Sequence, residues 1–391
     1  MIFPDLDKAL AALMACVRGA PGPDKDLGTA SLEEPDWHRF VDLALRHQLA
    51  PLAYYELYTA APDAVPAWVM EVLGAAYHKA LATNVVMYDR LQRILKAFRQ
   101  QGVQVLLLKG ALFAQTLYPS IGTRPMCDVD LVIPPEQLAE AEAVLYGLGY
   151  GPPYTGSRSR EYQVRYGGEL AYSQSRAWPT VDLHWHVLFG EWLRRTTLVQ
   201  GEDFWGRAQP VTFDGMTVQQ LATADSLLYQ VVHAGLTHRF TIMGLRNFVD
   251  LDRTIRAAGD SLDWPGFVAL ARRVRLATAT YLMLELCSEL LGTPVPPAVL
   301  QSLRPSAVRR WCLARLLDRE AIIEIRYTPR RGYLLQWLLI DRPVDMIRLL
   351  WRTFFPESEW LAVRYAVHDR WSLFFHRLRH PIRVLRLRGA I

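Results

Sequence analysis

At 391 residues, with 51% hydrophobic and 21% charged side chains, the chain is long enough for two or three cored domains and too apolar to be disordered. Its four cysteines (Cys16, Cys127, Cys287, Cys312) are scattered with no Cys-x-x-Cys pair, which argues against a zinc site or a disulfide framework and suits a reducing cytoplasm. The net charge of +5 is uneven: from Arg330 onward there are twelve Arg, no Lys and five acids, a net of +7 that leaves −2 for residues 1–329.

The start of the chain, Met1 to Lys8, carries acids where a signal peptide wants basic residues. No apolar run approaches the ~18 residues needed to span a bilayer, so a soluble or peripheral protein is expected. Residues 1–100 read as helices. Trp37, Phe40, Val41, Ala44 and Leu45 have helical spacing, and a long helix is predicted from about Ala67 to Gln101 with Leu91, Ile94, Leu95 and Phe98 on one face. Gly102 ends it.

Residues 103–190 change character. Val103–Leu108 reads as a short buried strand, Gly110 as the turn after it, and Ala111–Leu117 as the opening of a helix. Asp128–Ile133 is a second strand. Pro134-Pro135 starts a helix that stops at Gly147-Leu148-Gly149. Tyr162–Ser173 alternates well enough for one or two strands, and Val181–Val187 is a further strand. From about 217 to 325 helices return, and the tail has short helical patterns rich in Trp, Phe, Leu and Arg. The predicted class is α+β: a small mixed β-sheet core with packed helices, flanked by N-terminal helices and a C-terminal helical domain. The expected divisions are 1–83, 84–215, 216–329 and 330–391.

Two carboxylates, Asp128 and Asp130, lie one residue apart in an otherwise apolar run. Strand side chains alternate faces, so the two point the same way, about 7 Å apart. Carboxylates so placed can jointly hold one or two magnesium ions. Beside a Gly turn leading into a helix, they suggest phosphoryl or nucleotidyl chemistry. In the strand 181–187, Asp182, His184 and His186 share one face, and Val181, Leu183, Trp185 and Val187 share the other. If that strand lies beside the first, Asp182 becomes a third carboxylate of one two-metal site.

These residues, Lys109-Gly110-Ala111-Leu112, Tyr118, Arg124, Asp128-Val129-Asp130-Leu131-Val132 and Val181-Asp182-Leu183-His184-Trp185, resemble the bacterial uncharacterised nucleotidyltransferase family, within the polymerase-β-like superfamily. The resemblance extends to Trp37, His47, Asn84, His233, Asp250, Phe355-Pro356 and His380-Pro381. It implies transfer of a nucleoside monophosphate from an NTP to an acceptor, with Mg²⁺ (or Mn²⁺) and release of pyrophosphate. It implies Asp128, Asp130 and Asp182 as metal ligands, with Asp182 helping to deprotonate the acceptor. Gly110 would sit at a phosphate-binding turn and Lys109 would reach a phosphate. The chain departs from the superfamily where its usual Gly-Ser pair is Gly110-Ala111. The stretch from Gly110 to Asp128 is also longer than usual.

Arg124 is expected either on a phosphate or on the aspartates, and His184 as a hydrogen-bond or acid–base group. His186 reads as structural. His233 and His238, with Arg246, Asp250 and Asp252, read as helical residues with intrahelical ion pairs, Arg246 to Asp250 among them. The alternative is that their region closes over the nucleotide or acceptor. Other functions compatible with the sequence are a non-catalytic scaffold of the same fold and an RNA-modifying toxin. The toxin is disfavoured because the basic residues lie in the tail, and no stable nucleic-acid partner is expected. The expected location is cytoplasmic, with residues 377–388 a candidate contact for polyanions or the inner face of the membrane.

Overall fold

The computed structural model describes residues 6–19, 27–60, 62–152, 159–175, 180–188, 190–199, 203–240, 244–326, 328–367 and 369–386. The acidic residues at the start of the chain, apart from Asp7, and Arg388 at its end lie outside them. The expected α+β class holds: helices surround one six-stranded mixed sheet.

The sheet consists of β1 (Leu106–Leu107), β2 (Asp128–Val132), β3 (Glu169–Tyr172), β4 (Thr180–His184), β5 (Gln209–Phe213) and β6 (Met216–Gln220), in the order β3-β4-β2-β1-β6-β5. β2 pairs β4 in parallel and β1 antiparallel, while β3 pairs β4 antiparallel. Buried Leu106, Leu107, Leu131, Val132 and Leu183 explain the central position of these strands.

Three expectations are corrected. The strand expected over 103–108 contracts to β1. The strand expected over 181–187 stops at His184, so His186 leaves the shared face and is exposed. The helices expected from 217 are preceded by the β5–β6 hairpin, which joins the sheet through Leu106↔Gln219. Asp214 and Gly215 both have positive φ (47° and 75°), the backbone of a two-residue hairpin turn. The expected boundary at 215/216 falls at the tip of that hairpin.

The long helix runs from Ala67 to Gln100, about 50 Å, with Leu91, Ile94, Leu95 and Phe98 buried as expected. Gly102, at φ +70°, closes it. The helix braces the segment leading into β2: the fully buried Asn84 donates from Nδ2 to the carbonyls of Arg124 (2.8 Å) and Ile121, and Tyr88 donates to the Ala111 carbonyl (2.6 Å). On Glu34–Arg46, Trp37, Phe40, Val41 and Ala44 are buried while Leu45 is exposed. His47 ties this region to the C-terminal helices. Its Nε2 donates to the Ile323 carbonyl (2.9 Å) and its Nδ1 accepts from Leu245 N–H (3.2 Å). Burial pushes its pKa down to about 4, which keeps the ring neutral.

Candidate active site

Parallel pairing of β2 with β4 places Asp130 opposite Asp182 and Asp128 opposite Thr180. Register partners on neighbouring strands share a face, at about 4.8 Å between strands. Asp128, Asp130 and Asp182 therefore form one acidic face. β3 extends it, because Glu169 is opposite His184.

Asp130 is buried and held from two sides. His184 Nε2 lies 3.2 Å from its Oδ1, and Lys109 Nζ lies 3.4 Å from its Oδ2. Burial alone would raise its pKa, but Lys109 and the His184 hydrogen bond outweigh it and hold the carboxyl well below the usual range. Asp128 goes the other way: burial and the Asp130 charge raise it. Asp182 is pushed up to about 7 by burial and then by Asp130 and Asp128. Burial lowers His184, but Asp130 and Glu169 overcome it, so its pKa is raised. His184 Nδ1 faces Glu169 Oε2 at 3.4 Å, and burial raises Glu169.

Lys109 also contacts His233 Nε2 closely, and its Nζ lies over the Tyr229 ring, 5.5 Å from the centroid. Burial and then Lys109 push the His233 pKa well down, so His233 is neutral and its Nε2 accepts. His238 Nε2 lies 3.0 Å from the same atom. His238, down to about 4 by burial and Lys109, is the neutral donor of that pair. The two histidines therefore belong to the site rather than to intrahelical pairs. Lys109 and Gly110 open the helix Lys109–Thr116, so Gly110 lies inside a first helical turn and not at a turn before the helix. No side chain among the described residues caps that N-terminus, which leaves its first amides for another acceptor.

Arg124 has its ion pair away from the acidic face, while its Nη1 donates to the Gly110 carbonyl (3.4 Å). It is buried, and donates from Nε (2.8 Å) and Nη2 (2.7 Å) to the two oxygens of Asp250, which also accepts from Tyr118 (2.6 Å). Asp250 therefore does not pair with Arg246. Arg246 instead donates to the Pro125 carbonyl (2.8 Å) and to Gln48 (2.5 Å). Asp252 keeps an intrahelical partner, Arg256, at 2.8 Å.

The carboxylates suit a hard divalent cation in their chemistry. Among the described residues Asp182 Oδ1 is buried without a hydrogen-bond donor, a costly state that a cation relieves, and Asp130 Oδ2 faces the Lys109 ammonium at 3.4 Å. Among the described residues, however, no three His, Cys, Asp or Glu side chains stand close enough together to hold an ion as they are. Asp130 is engaged by Lys109 and His184, so a cage requires its carboxylate to turn.

A sheet carrying acids on neighbouring parallel strands, beside an uncapped helix N-terminus with its lysine, is the framework of a nucleotidyl-transfer enzyme. The chain belongs to the uncharacterised nucleotidyltransferase family, whose model matches residues 33–292. It is also similar to the solution structure of the antibiotic-resistance factor ANT(2'')-Ia, over 53% of this chain and 98% of that one, at 14% identity and a TM-score of 0.36. No curated protein matches.

Glu169, Tyr229, His233 and His238 adjoin the candidate site, although the sequence reading left them out of it. Glu169 was within reach of the alternation over 162–173. The contacts of Tyr229 and His233 with Lys109 join residues more than a hundred positions apart, and no local pattern signals them.

Proposed function

We propose that the chain transfers a nucleoside monophosphate from an NTP to a hydroxyl or phosphate acceptor, with a divalent cation (Mg²⁺ or Mn²⁺) and release of pyrophosphate. The observation that carries this reading is the in-register pair Asp130 and Asp182, with a buried Asp182 oxygen that lacks a donor among the described residues. Asp128, Asp130 and Asp182 would hold the cation, which supplies charge neutralisation at the phosphates. The acceptor oxygen bonds to the α-phosphorus, the bond to the bridging oxygen of pyrophosphate breaks, and the acceptor proton passes to Asp182. An aspartate beside the acceptor oxygen is suited to that task. Lys109 would move from Asp130 onto a phosphate, while the amides around Gly110 bind its oxygens. His184 steadies Asp130, and Arg124 positions the entry to β2 through Asp250 and Asn84.

The test is calorimetry of Mg–ATP, Mg–GTP, Mg–CTP and Mg–UTP against the wild type and the Asp128→Asn/Asp130→Asn double variant. Saturable binding of at least one NTP by the wild type is expected, weakened tenfold or more in a double variant with an unchanged circular dichroism spectrum. Equal affinities would sink the reading.

Peripheral contact with an anionic membrane belongs to the same proposal. Among the described residues, no helix is long and apolar enough to cross a membrane. On Arg370–Arg386, exposed Trp371, Phe374, Phe375, Leu378, Ile382 and Leu385 recur at helical spacing. Exposed Arg377, Arg379 and Arg383 flank them and complement anionic headgroups. On Pro343–Phe354, exposed Val344, Ile347 and Trp351 repeat the pattern. Co-sedimentation with phosphatidylcholine vesicles containing phosphatidylglycerol is expected, but not with phosphatidylcholine alone, and Trp371→Ser/Phe375→Ser/Leu378→Ser should abolish it. Concentration-dependent dimerisation that the same triple variant abolishes, without vesicle binding, would assign the face to a second copy instead.

A further inference from the structure

A cavity of about 310 Å³ lies between the sheet-flanking segments and the tail helices. Its walls combine aromatic rings, such as Tyr162, Trp192, Trp337 and Trp360, with arginines, such as Arg239 and Arg364. Among the described residues, no Asp or Glu lines it. Two of its arginines lie against rings: Arg239 is 5.5 Å from the Tyr333 centroid and Arg364 is 5.6 Å from that of Tyr162. Stacked in this way, each guanidinium keeps its edge for a ligand.

The polar inventory of the cavity is one-sided. Arg239 Nε and the Trp360 indole nitrogen are buried and find no acceptor among the described residues. Both groups are donors only. A buried donor without an acceptor costs about 1–3 kcal/mol, so two in one aromatic cavity indicate a ligand that brings acceptors. Trp360 also packs edge-on to Tyr162, with ring centroids 6.1 Å apart, which fixes the indole. Flat rings with donor groups at the margin suit a ring or apolar body ending in an anion.

The position of the cavity links it to the acidic face. Tyr162 precedes the segment that leads through Gly168 into β3, which carries Glu169. Trp192 is on the helix Glu191–Thr196, which follows β4. Arg239 adjoins His238, which contacts His233. Three wall residues thus continue directly from elements that build the site. The opposite wall includes Thr353 and His380, from the two helices whose other faces carry the exposed apolar residues.

We propose that this cavity binds the phosphate-bearing end of the nucleotidyl acceptor, held between its aromatic rings by Arg239 and the Trp360 N–H. The acceptor role rests on the function proposed above; the binding chemistry does not. The phosphate can belong to a soluble ring phosphate or to a lipid headgroup.

The cavity's tryptophans report directly. The full chain, without metal or NTP, is titrated with phenyl phosphate, with phenol, and with dihexanoyl phosphatidic acid below its micelle threshold. Tryptophan fluorescence and calorimetry supply the readouts. Phenyl phosphate or the short-chain lipid should bind saturably and phenol should not; the tighter of the two identifies the source. Arg239→Gln should weaken binding about tenfold and Trp360→Phe, which keeps a ring but removes the donor, several-fold, with unchanged circular dichroism. If Arg239→Gln misfolds, Trp360→Phe decides.

Equal binding of phenol, no saturable binding by either phosphate, or unchanged affinity in the folded variants would overturn the proposal. So would competitive displacement by Mg–ATP, which would make the cavity the donor site. The titration is repeated in Asp128→Asn/Asp130→Asn. Binding retained there while the wild type binds no NTP removes the nucleotidyl-transfer reading alone. NTP binding without phosphate binding removes the cavity alone.

Discussion

Replacing Asp250 with alanine is expected to destabilise the protein by about 3–5 kcal/mol, read as a fall in the urea midpoint at unchanged slope. The carboxylate accepts from Arg124 through both oxygens and from the Tyr118 hydroxyl, and the side chains of the ion pair are only 4% and 5% exposed. Removing it strands a buried guanidinium and a buried hydroxyl together. Burial would raise the Asp250 pKa, yet Arg124 holds it below the usual range, so the pair is ionised. Its contribution is therefore present above the ordinary carboxyl pKa and lost as pH falls through the depressed one. Arg124→Met/Asp250→Leu should recover much of the loss, because an apolar pair strands no charge. A cost under about 1 kcal/mol for Asp250→Ala would show that the pair does little for the fold.

Asp182→Asn is expected to reduce nucleotidyl transfer by about 10²–10⁴-fold and, in chelator at pH 8, to make the protein more stable. The first follows from losing the group that takes the acceptor proton, the second from removing a buried charge. Asp182 is pushed from the ordinary 3.8 up to about 7 by burial and by Asp130 and Asp128. A carboxyl raised on folding favours the native state while protonated, and that advantage is lost as pH climbs from about 4 to about 7. At pH 8 the wild type carries the full repulsion and the amide none. A gain of about 1–3 kcal/mol should appear in calorimetric scans at pH 8 and vanish near pH 3.5. A cation offsets the repulsion, so added Mg²⁺ should stabilise the wild type and leave the variant nearly unmoved. A variant less stable than the wild type at pH 8 would contradict the account.

Much of the site was legible because strand periodicity is strict. Two aspartates at i and i+2, and an Asp-x-His run with an apolar opposite face, fix which side chains share a face once the strands pair, and β2 and β4 do pair. The length of β4 was not legible: Trp185 and Val187 continue the alternation and are buried outside the strand. The β5–β6 hairpin carried a usable signal in Asp214-Gly215, overridden by the helical pattern beyond it. Helical spacing offered Arg246 as the partner of Asp250, whereas the fold brings the Arg124 guanidinium onto both of its oxygens. The clustering of Lys109, Tyr229, His233 and His238 needs the tertiary fold, as does the convergence of tail aromatics with Trp192 and Tyr162 around one cavity.

The shortest strand carries a wide consequence. β1 has two residues, and its register with β6 is a single pair, Leu106↔Gln219. The sheet thus has a seam, with the acid-bearing strands on one side and the β5–β6 hairpin on the other. Few ladder bonds cross that seam, so side-chain packing ties the hairpin to the rest of the fold, as where Phe213 stacks on Tyr88 of the long helix at 5.4 Å. Through Tyr88, which donates to the Ala111 carbonyl, that ring contact reaches the helix that carries Lys109, so the hairpin and the candidate site share a packing route outside the sheet.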